Sequence, residues 1–211
     1  MILDPKKDKM NVASSRELVF AALDFETTGS VAGYPVEPWQ IGVVRWESGG
    51  YHLWEHWLRV GDRPFHPRAP GRHEAVREEL AGAPRLDALL PELRQLCGGV
   101  PLVAHNAATE QKCFRDAVPM ERFGPWIDTL KLSRALWPDL RSHKLGDLLV
   151  THSLRKTVAG LLPGREEHDA LFDAMGSAVL LNYMLTLPVC REVSLEVLVN
   201  PDLMAYYARR R

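Results

Sequence analysis

Several common features are missing from this chain. No apolar run approaches the ~18 residues a membrane helix needs, and the opening MILDPKKDKMNVASS has no apolar stretch of signal-peptide length. Neither membrane insertion nor export is expected, and the cytoplasm is the expected location. Cysteine is scarce: Cys97, Cys113 and Cys190 lie far apart and in no CxxC pair. That argues against a disulfide framework or a cysteine zinc site and suits reduced, buried thiols. An excess of either charge is also missing, with 26 basic and 27 acidic side chains and a formal net charge of −1. Proteins that coat long duplexes are usually strongly basic, so any nucleic-acid contact is expected to be local, as at a strand end. There is no internal repeat or low-complexity segment. What remains is 211 residues with an ordinary apolar fraction of 46%, enough for one α/β domain with a sizeable core.

Along the chain, residues 1–15 read as a polar leader, 16–188 as the main domain and 189–211 as a C-terminal helical tail. Leu18 to Glu26 is an apolar run ending in acids, a buried strand. Ile41 to Trp46 and Tyr51 to Val60 read as two more strands around a Ser48-Gly49-Gly50 turn, an antiparallel meander. A loop over 61–71 precedes helices near 73–80 and 86–97. Val100 to Ala104 is a short strand and 107–117 a helix. Asp128 is placed to cap a helix over 129–136, and Lys144 to Val150 forms a short one. Residues 157–167 read as a loop, after which Asp169 caps the longest helix, about 170–187. Further helix is expected near Ser194 and after Pro201. Close strands followed by helices predict an α/β sandwich around one mixed sheet.

Three segments carry candidate chemistry. In Leu23-Asp24-Phe25-Glu26-Thr27-Thr28-Gly29, strand alternation points Asp24 and Glu26 to one face. Two adjacent carboxylates repel, and a hard divalent cation such as Mg²⁺ or Mn²⁺ relieves that repulsion. Taken alone, the pair is equally compatible with two solvated acids at a strand end. Glu110 falls in the first turn of a helix after a strand, where it also simply suits the helix dipole. His105 and Asn106 precede that helix and read mainly as braces of the turn. In His168-Asp169-Ala170-Leu171-Phe172-Asp173, a helix starting near Asp169 leaves His168 in the preceding loop. There it can swing over a site that Asp173 reaches, as a general base for water. Together, Asp24, Glu26, Glu110 and Asp173 suit two divalent metals in phosphodiester hydrolysis.

With these motifs in this order, the sequence resembles the DEDDh family of 3′–5′ exonucleases from about Leu18 to Leu187. LDFETTG matches the first family motif and HDALFD the last, with its histidine-type spacing. The stretch WIDTLKLSRALWPDLRSHKLGDLL is most similar to the exodeoxyribonuclease X branch, which favours DNA. The resemblance implies a ribonuclease H-like fold: a mixed five-stranded sheet flanked by helices in a single domain. It also implies two Mg²⁺ or Mn²⁺ ions held by Asp24, Glu26, Glu110 and Asp173, with His168 as general base. The products would be nucleoside monophosphates released from 3′ ends. One position departs from the family, which usually carries aspartate where this chain has Glu110. The extra methylene moves the carboxylate roughly 1–1.5 Å further out, which predicts reduced activity and a Mn²⁺ preference.

The expected partner is a single-stranded or frayed 3′ end of DNA, with RNA second. Thr27, Thr28, His105 and Asn106 are the candidate substrate contacts. The basic segment 131–156 and the Arg63, Arg68 and Arg72 loop are candidate phosphate tracks, and Trp39 is placed near the entrance. Two rival readings stay open: a nucleic-acid-binding module on an inactive exonuclease fold, motivated by Glu110, and a domain that holds Mg²⁺ only for stability.

Overall fold

The computed structural model describes residues 18–47, 50–69, 71–73 and 75–202. The expected leader, the Ser48-Gly49 part of the turn and the helix expected after Pro201 fall wholly or largely outside them. Five strands form one sheet: β1 (Phe20–Thr27), β2 (Pro38–Glu47), β3 (Gly50–Trp57), β4 (Leu102–Ala104) and β5 (Trp126–Asp128). Their order is β3-β2-β1-β4-β5. The first three make the antiparallel meander, and β4 and β5 continue parallel to β1. β1 is therefore central and covered on both sides, which explains its almost unbroken apolar sequence.

Alternation along β1 divides the core. Phe20 and Ala22 face one hydrophobic cluster, and Ala21, Leu23 and Phe25 face the other. The first cluster is built on α7 (Ala170–Thr186), with α4 (Thr129–Leu136), α5 (Leu145–Thr151), α6 (Arg155–Leu161) and α8 (Leu195–Val199) around it. The second is built on α2 (Leu90–Cys97) and α3 (Ala108–Ala117), with a 3₁₀ turn at Leu86–Leu89 leading into α2. The row Phe20-Ala22 continues as Asp24 and Glu26, so the sheet pattern delivers both acids to the α7 side. Because β1, β4 and β5 run parallel, their C-terminal ends, with Thr27, His105 just after Ala104, and Asp128, lie at the same end of the sheet.

Two expected elements differ. The 157–167 loop is in its first half helix α6, held by Val158, which is fully buried in the α7-side cluster. The helix expected over 73–80 starts only at Arg77, as α1 (Arg77–Gly82). His73 lies before it, stacked on Phe65 at 4.4 Å. Cys97, Cys113 and Cys190 are all free and buried, and Trp39 is buried too, stacked on Trp57 at 5.6 Å in the wall of the cleft that also borders His168. No described helix is long and apolar enough to cross a membrane.

Candidate active site

The site is assembled around the start of α7. Asp169 caps this helix, its carboxylate accepting from the Leu171 and Phe172 N–H groups. Gln40 of β2, the register partner of Glu26, fixes the same point: its amide donates to Asp169 Oδ2 at 3.3 Å and accepts from Ala170 N at 3.2 Å. Gly42, the partner of Asp24, lets the helix come close. A Cβ there would fall deep inside the van der Waals surface of the Leu171 backbone. Gly42 and Gln40 thus set how near Asp173 comes to β1. The signals for both were present in the sequence, a glycine and a glutamine inside an apolar strand, but their partners lie about 130 residues away.

His168, Glu26 and Asp173 converge. Each offers a ligand atom, and these atoms lie within 4.8 Å of one another. His168 is exposed, with a left-handed φ of 67°. Its N–H donates to Asp173 Oδ2 at 3.0 Å, which holds the turn in this strained conformation. Asp24 and Glu110 lie close enough to act electrostatically on the group. Burial pushes the Asp24 carboxyl well above its usual range, reinforced by Glu110, Asp173 and Glu26. Burial likewise raises Glu26 to about 8, with Asp173 and Asp169 adding repulsion. Glu110 also reaches about 8, chiefly by burial and further by Asp128. Asp173 reaches about 6 through burial, moderated by the His168 N–H and by the His168 charge. Among the described residues no cation offsets the three β1 and α3 acids, and the buried Glu110 Oε2 has no hydrogen-bond partner. An unpaired buried carboxylate oxygen beside mutually repelling oxygen donors fits a bound divalent cation.

The other predicted site residues are distributed differently. Thr28 is fully buried and spent on structure. Its N–H donates to Glu37 O, its carbonyl accepts from His66 N and its hydroxyl accepts from Glu37 N. Thr27 is half-buried and its Oγ1 accepts a long bond from Gly29 N. Gly29 itself has a φ of 71°, and a Cβ there would collide with the His66 side chain. His105 braces the turn, with Nδ1 2.9 Å from Thr129 Oγ1 and Nε2 2.8 Å from His143 O. Burial lowers its pKa, so the neutral ring donates from Nε2 to the carbonyl, and its Nδ1 shares the Thr129 hydroxyl with the Ala104 carbonyl. Asn106 is exposed at φ 71° and gives its N–H to Asp128 Oδ1 at 3.0 Å. The same Asp128 oxygen caps α4 through Leu130 N and Lys131 N.

Of the arginine loop, Arg68 and Arg72 are exposed, whereas Arg63 is buried 3.6 Å from Glu37 and faces Tyr34. Arg63 is therefore no surface phosphate contact. Lys131, Arg134, Arg141, Lys144 and Lys156 of the basic segment are exposed, and Arg155 is paired with Glu167. A cleft of about 760 Å³ opens on the His168 side, walled by Trp57, Arg72, Arg165 and Glu166 among others. The four acids of the cluster are not in its walls.

The chain is similar to several known proteins over most of its length. Exodeoxyribonuclease 10 of Escherichia coli K12 is 29% identical over 186 residues, covering 88% of this chain and 77% of that protein. The PolC-type DNA polymerase III of Bacillus subtilis is 30% identical over 174 residues, covering 80% of this chain but 12% of the polymerase. Among solved structures, S. pombe Pop2p in its Mg²⁺- and Mn²⁺-bound form superposes with a TM-score of 0.58 at 14% identity, over 85% of this chain and 88% of Pop2p. A full-length 3′-exonuclease superposes with a TM-score of 0.60 at 15% identity, over 86% of this chain and 64% of that one. At such identities these two carry the fold, which is ribonuclease H-like. The RNase_T exonuclease model matches residues 21–181, a span holding both acid motifs and all that lies between, and the chain belongs to that family of exonucleases.

Proposed function

We propose that the protein is a 3′–5′ exonuclease that removes nucleoside monophosphates from single-stranded or frayed 3′ ends, DNA before RNA, in the cytoplasm. The convergence of Glu26, His168 and Asp173 within 4.8 Å, beside Asp24 and the unpaired Glu110, carries this reading. The DNA preference is supported by the exodeoxyribonuclease relative. Asp24, Glu26, Glu110 and Asp173 would hold two Mg²⁺ or Mn²⁺ ions. Bound there, such ions neutralise charge building on the phosphate oxygens and make an attacking water more acidic.

The side chains do the rest. His168, on its exposed turn, accepts the water's proton on an imidazole nitrogen, and the neighbouring Asp173 carboxylate stabilises the resulting imidazolium. Gln40 and Gly42 hold α7 so that Asp173 stays in register with β1. Thr27, whose Oγ1 holds only a long bond from the Gly29 N–H, is the group left for a terminal nucleotide, since Thr28 and His105 are committed within the fold. The basic face over 131–156, with Arg68 and Arg72, can follow the phosphates further along.

The test uses 5′-labelled DNA and RNA of one sequence, in Mg²⁺ and separately in Mn²⁺, with Asp24→Ala as control. A ladder shrinking from the 3′ end in the wild type alone is expected, faster on DNA and faster in Mn²⁺. A Glu110→Asp variant is expected to outpace the wild type in Mg²⁺. Binding of the strands without any ladder would replace this reading with the binding module.

A further inference from the structure

The residues that converge most tightly are not four carboxylates. They are two carboxylates and an imidazole, with ligand atoms within 4.8 Å of one another. Among the described residues this is the one grouping of three or more metal-binding side chains. Donor type decides which metal such a set prefers. All-oxygen sets suit Mg²⁺, whereas a nitrogen donor shifts preference towards late first-row cations, for which affinity generally rises along the series. Two further observations favour occupancy by a cation. The buried Glu110 Oε2 next to the group has no partner, and His168 is exposed at the edge of a cleft, so its ring is accessible to an incoming ion. The backbone N–H of His168 donates to Asp173 Oδ2, which ties the turn carrying His168 to Asp173 before any ion arrives.

We propose that Glu26, His168 and Asp173 form a mixed carboxylate–imidazole site that captures Zn²⁺ with His168 as a direct ligand, and that this capture switches the nuclease off. The inhibitory half rests on the exonuclease reading, because the captured imidazole nitrogen is the one that reading assigns to the proton. The binding half does not. Cysteine competition is absent from the described core, since Cys97, Cys113 and Cys190 are buried and none belongs to a metal-binding group.

Binding is measured without nucleic acid, by competition with a chromogenic chelator, on the full chain and on His168→Gln. The wild type is expected to take one equivalent of Zn²⁺ far more tightly than Mg²⁺. The variant should lose about 10-fold or more in Zn²⁺ affinity while its Mg²⁺ affinity stays within about 2-fold. Equal Zn²⁺ affinity in both proteins, or an equal loss for both metals, overturns the site. Zinc K-edge X-ray absorption on the wild type needs no variant: imidazole scattering is expected, and an all-oxygen or sulfur shell overturns it. Zinc at one equivalent should also halt strand shortening in excess Mg²⁺, reversed by a chelator. Undiminished shortening removes the inhibitory half. A protein that never shortens strands removes it too, along with the exonuclease reading, and leaves the binding half to the chelator result.

Discussion

Two charged clusters flank the start of α7, and they are built on opposite principles. On one side Arg165 is bonded to Glu55 and Asp169, with Nη1 2.6 Å from Glu55 Oε2 and 2.9 Å from Asp169 Oδ1. Gln40 adds an amide to the same aspartate. Here each carboxylate has a partner, and hydrogen bonding to Glu55 raises the guanidinium pKa further. On the other side Asp24, Glu26, Glu110 and Asp173 face one another with no lysine or arginine between them. Burial lifts Glu26 and Glu110 to about 8 and Asp173 to about 6, with repulsion added by Asp173 and Asp169 at Glu26, by Asp128 at Glu110, and by Glu167 and Asp169 at Asp173. The first cluster is complete as folded and keeps a loop in place. The second is incomplete without a cation, and groups left that way in a fold mark a site of function.

The sharpest way to break the contrast is Asp24→Asn. Catalysis is expected to fall on the order of a hundred- to a thousandfold, the scale for losing a charge-stabilising group. The melting temperature of the metal-free protein should rise, because the substitution removes the most strongly destabilised carboxyl. A variant that is both inactive and less stable at every pH would show that the acids are not a stability liability.

The next effect is a pH dependence with a definite sign. Glu26 titrates near 4.5 when unfolded and near 8 when folded. Between those values the native state holds more protons than the unfolded state, so stability falls as pH rises. The loss begins above about 4.5 and is complete beyond about 8. Melting curves in chelator should slope downward over that window, Glu26→Gln should flatten the slope, and Mg²⁺ should restore stability most at the alkaline end. A metal-free profile that climbs equally in wild type and variant across pH 5–8 would contradict it.

How much of this was legible in the sequence depends on whether a feature is local. The acids of LDFETTG lie on one face because strands alternate. The Asp128 and Asp169 caps follow from a polar residue placed before a helical run, and both accept the expected N–H groups. Features settled by distant packing were not legible. Pro163 and Gly164 punctuate 157–167 like a loop, yet burying Val158 keeps its first part in a helix that ends at Leu161. Trp39 does line the cleft beside His168, but its near-complete burial against Trp57 is set by packing that the sequence does not show. Thr28 belongs to the family motif, but only the fold shows Glu37 and His66 using its polar groups.

Gly42 lies at the seam between the two clusters, and its substitution perturbs both. Gly42→Ala forces the Leu171 backbone away from β2. A cost of about 1–3 kcal/mol is expected in urea unfolding, together with an activity loss beyond the unfolded fraction, since Asp173 moves with the helix. Full activity in a destabilised variant would mean that α7 can shift without carrying the site with it.

The smallest effect is expected where the charges are already balanced. Arg165→Gln leaves Glu55 and Asp169 facing each other, but the guanidinium is 31% exposed. Solvent screens what is lost, and the change in stability should be about 1 kcal/mol or less, shrinking further at high salt. Activity should fall only a few-fold, because Arg165 touches none of the four converging acids and acts by steadying the loop that presents His168. The discriminating measurement is the split between KM and kcat alongside the Zn²⁺ affinity. A looser loop weakens Zn²⁺ capture and lowers kcat while leaving KM unchanged. If Arg165→Gln instead matched Asp24→Asn in its effect on turnover, the paired cluster would be part of the reaction, and the contrast between a finished and an unfinished set of charges would be lost.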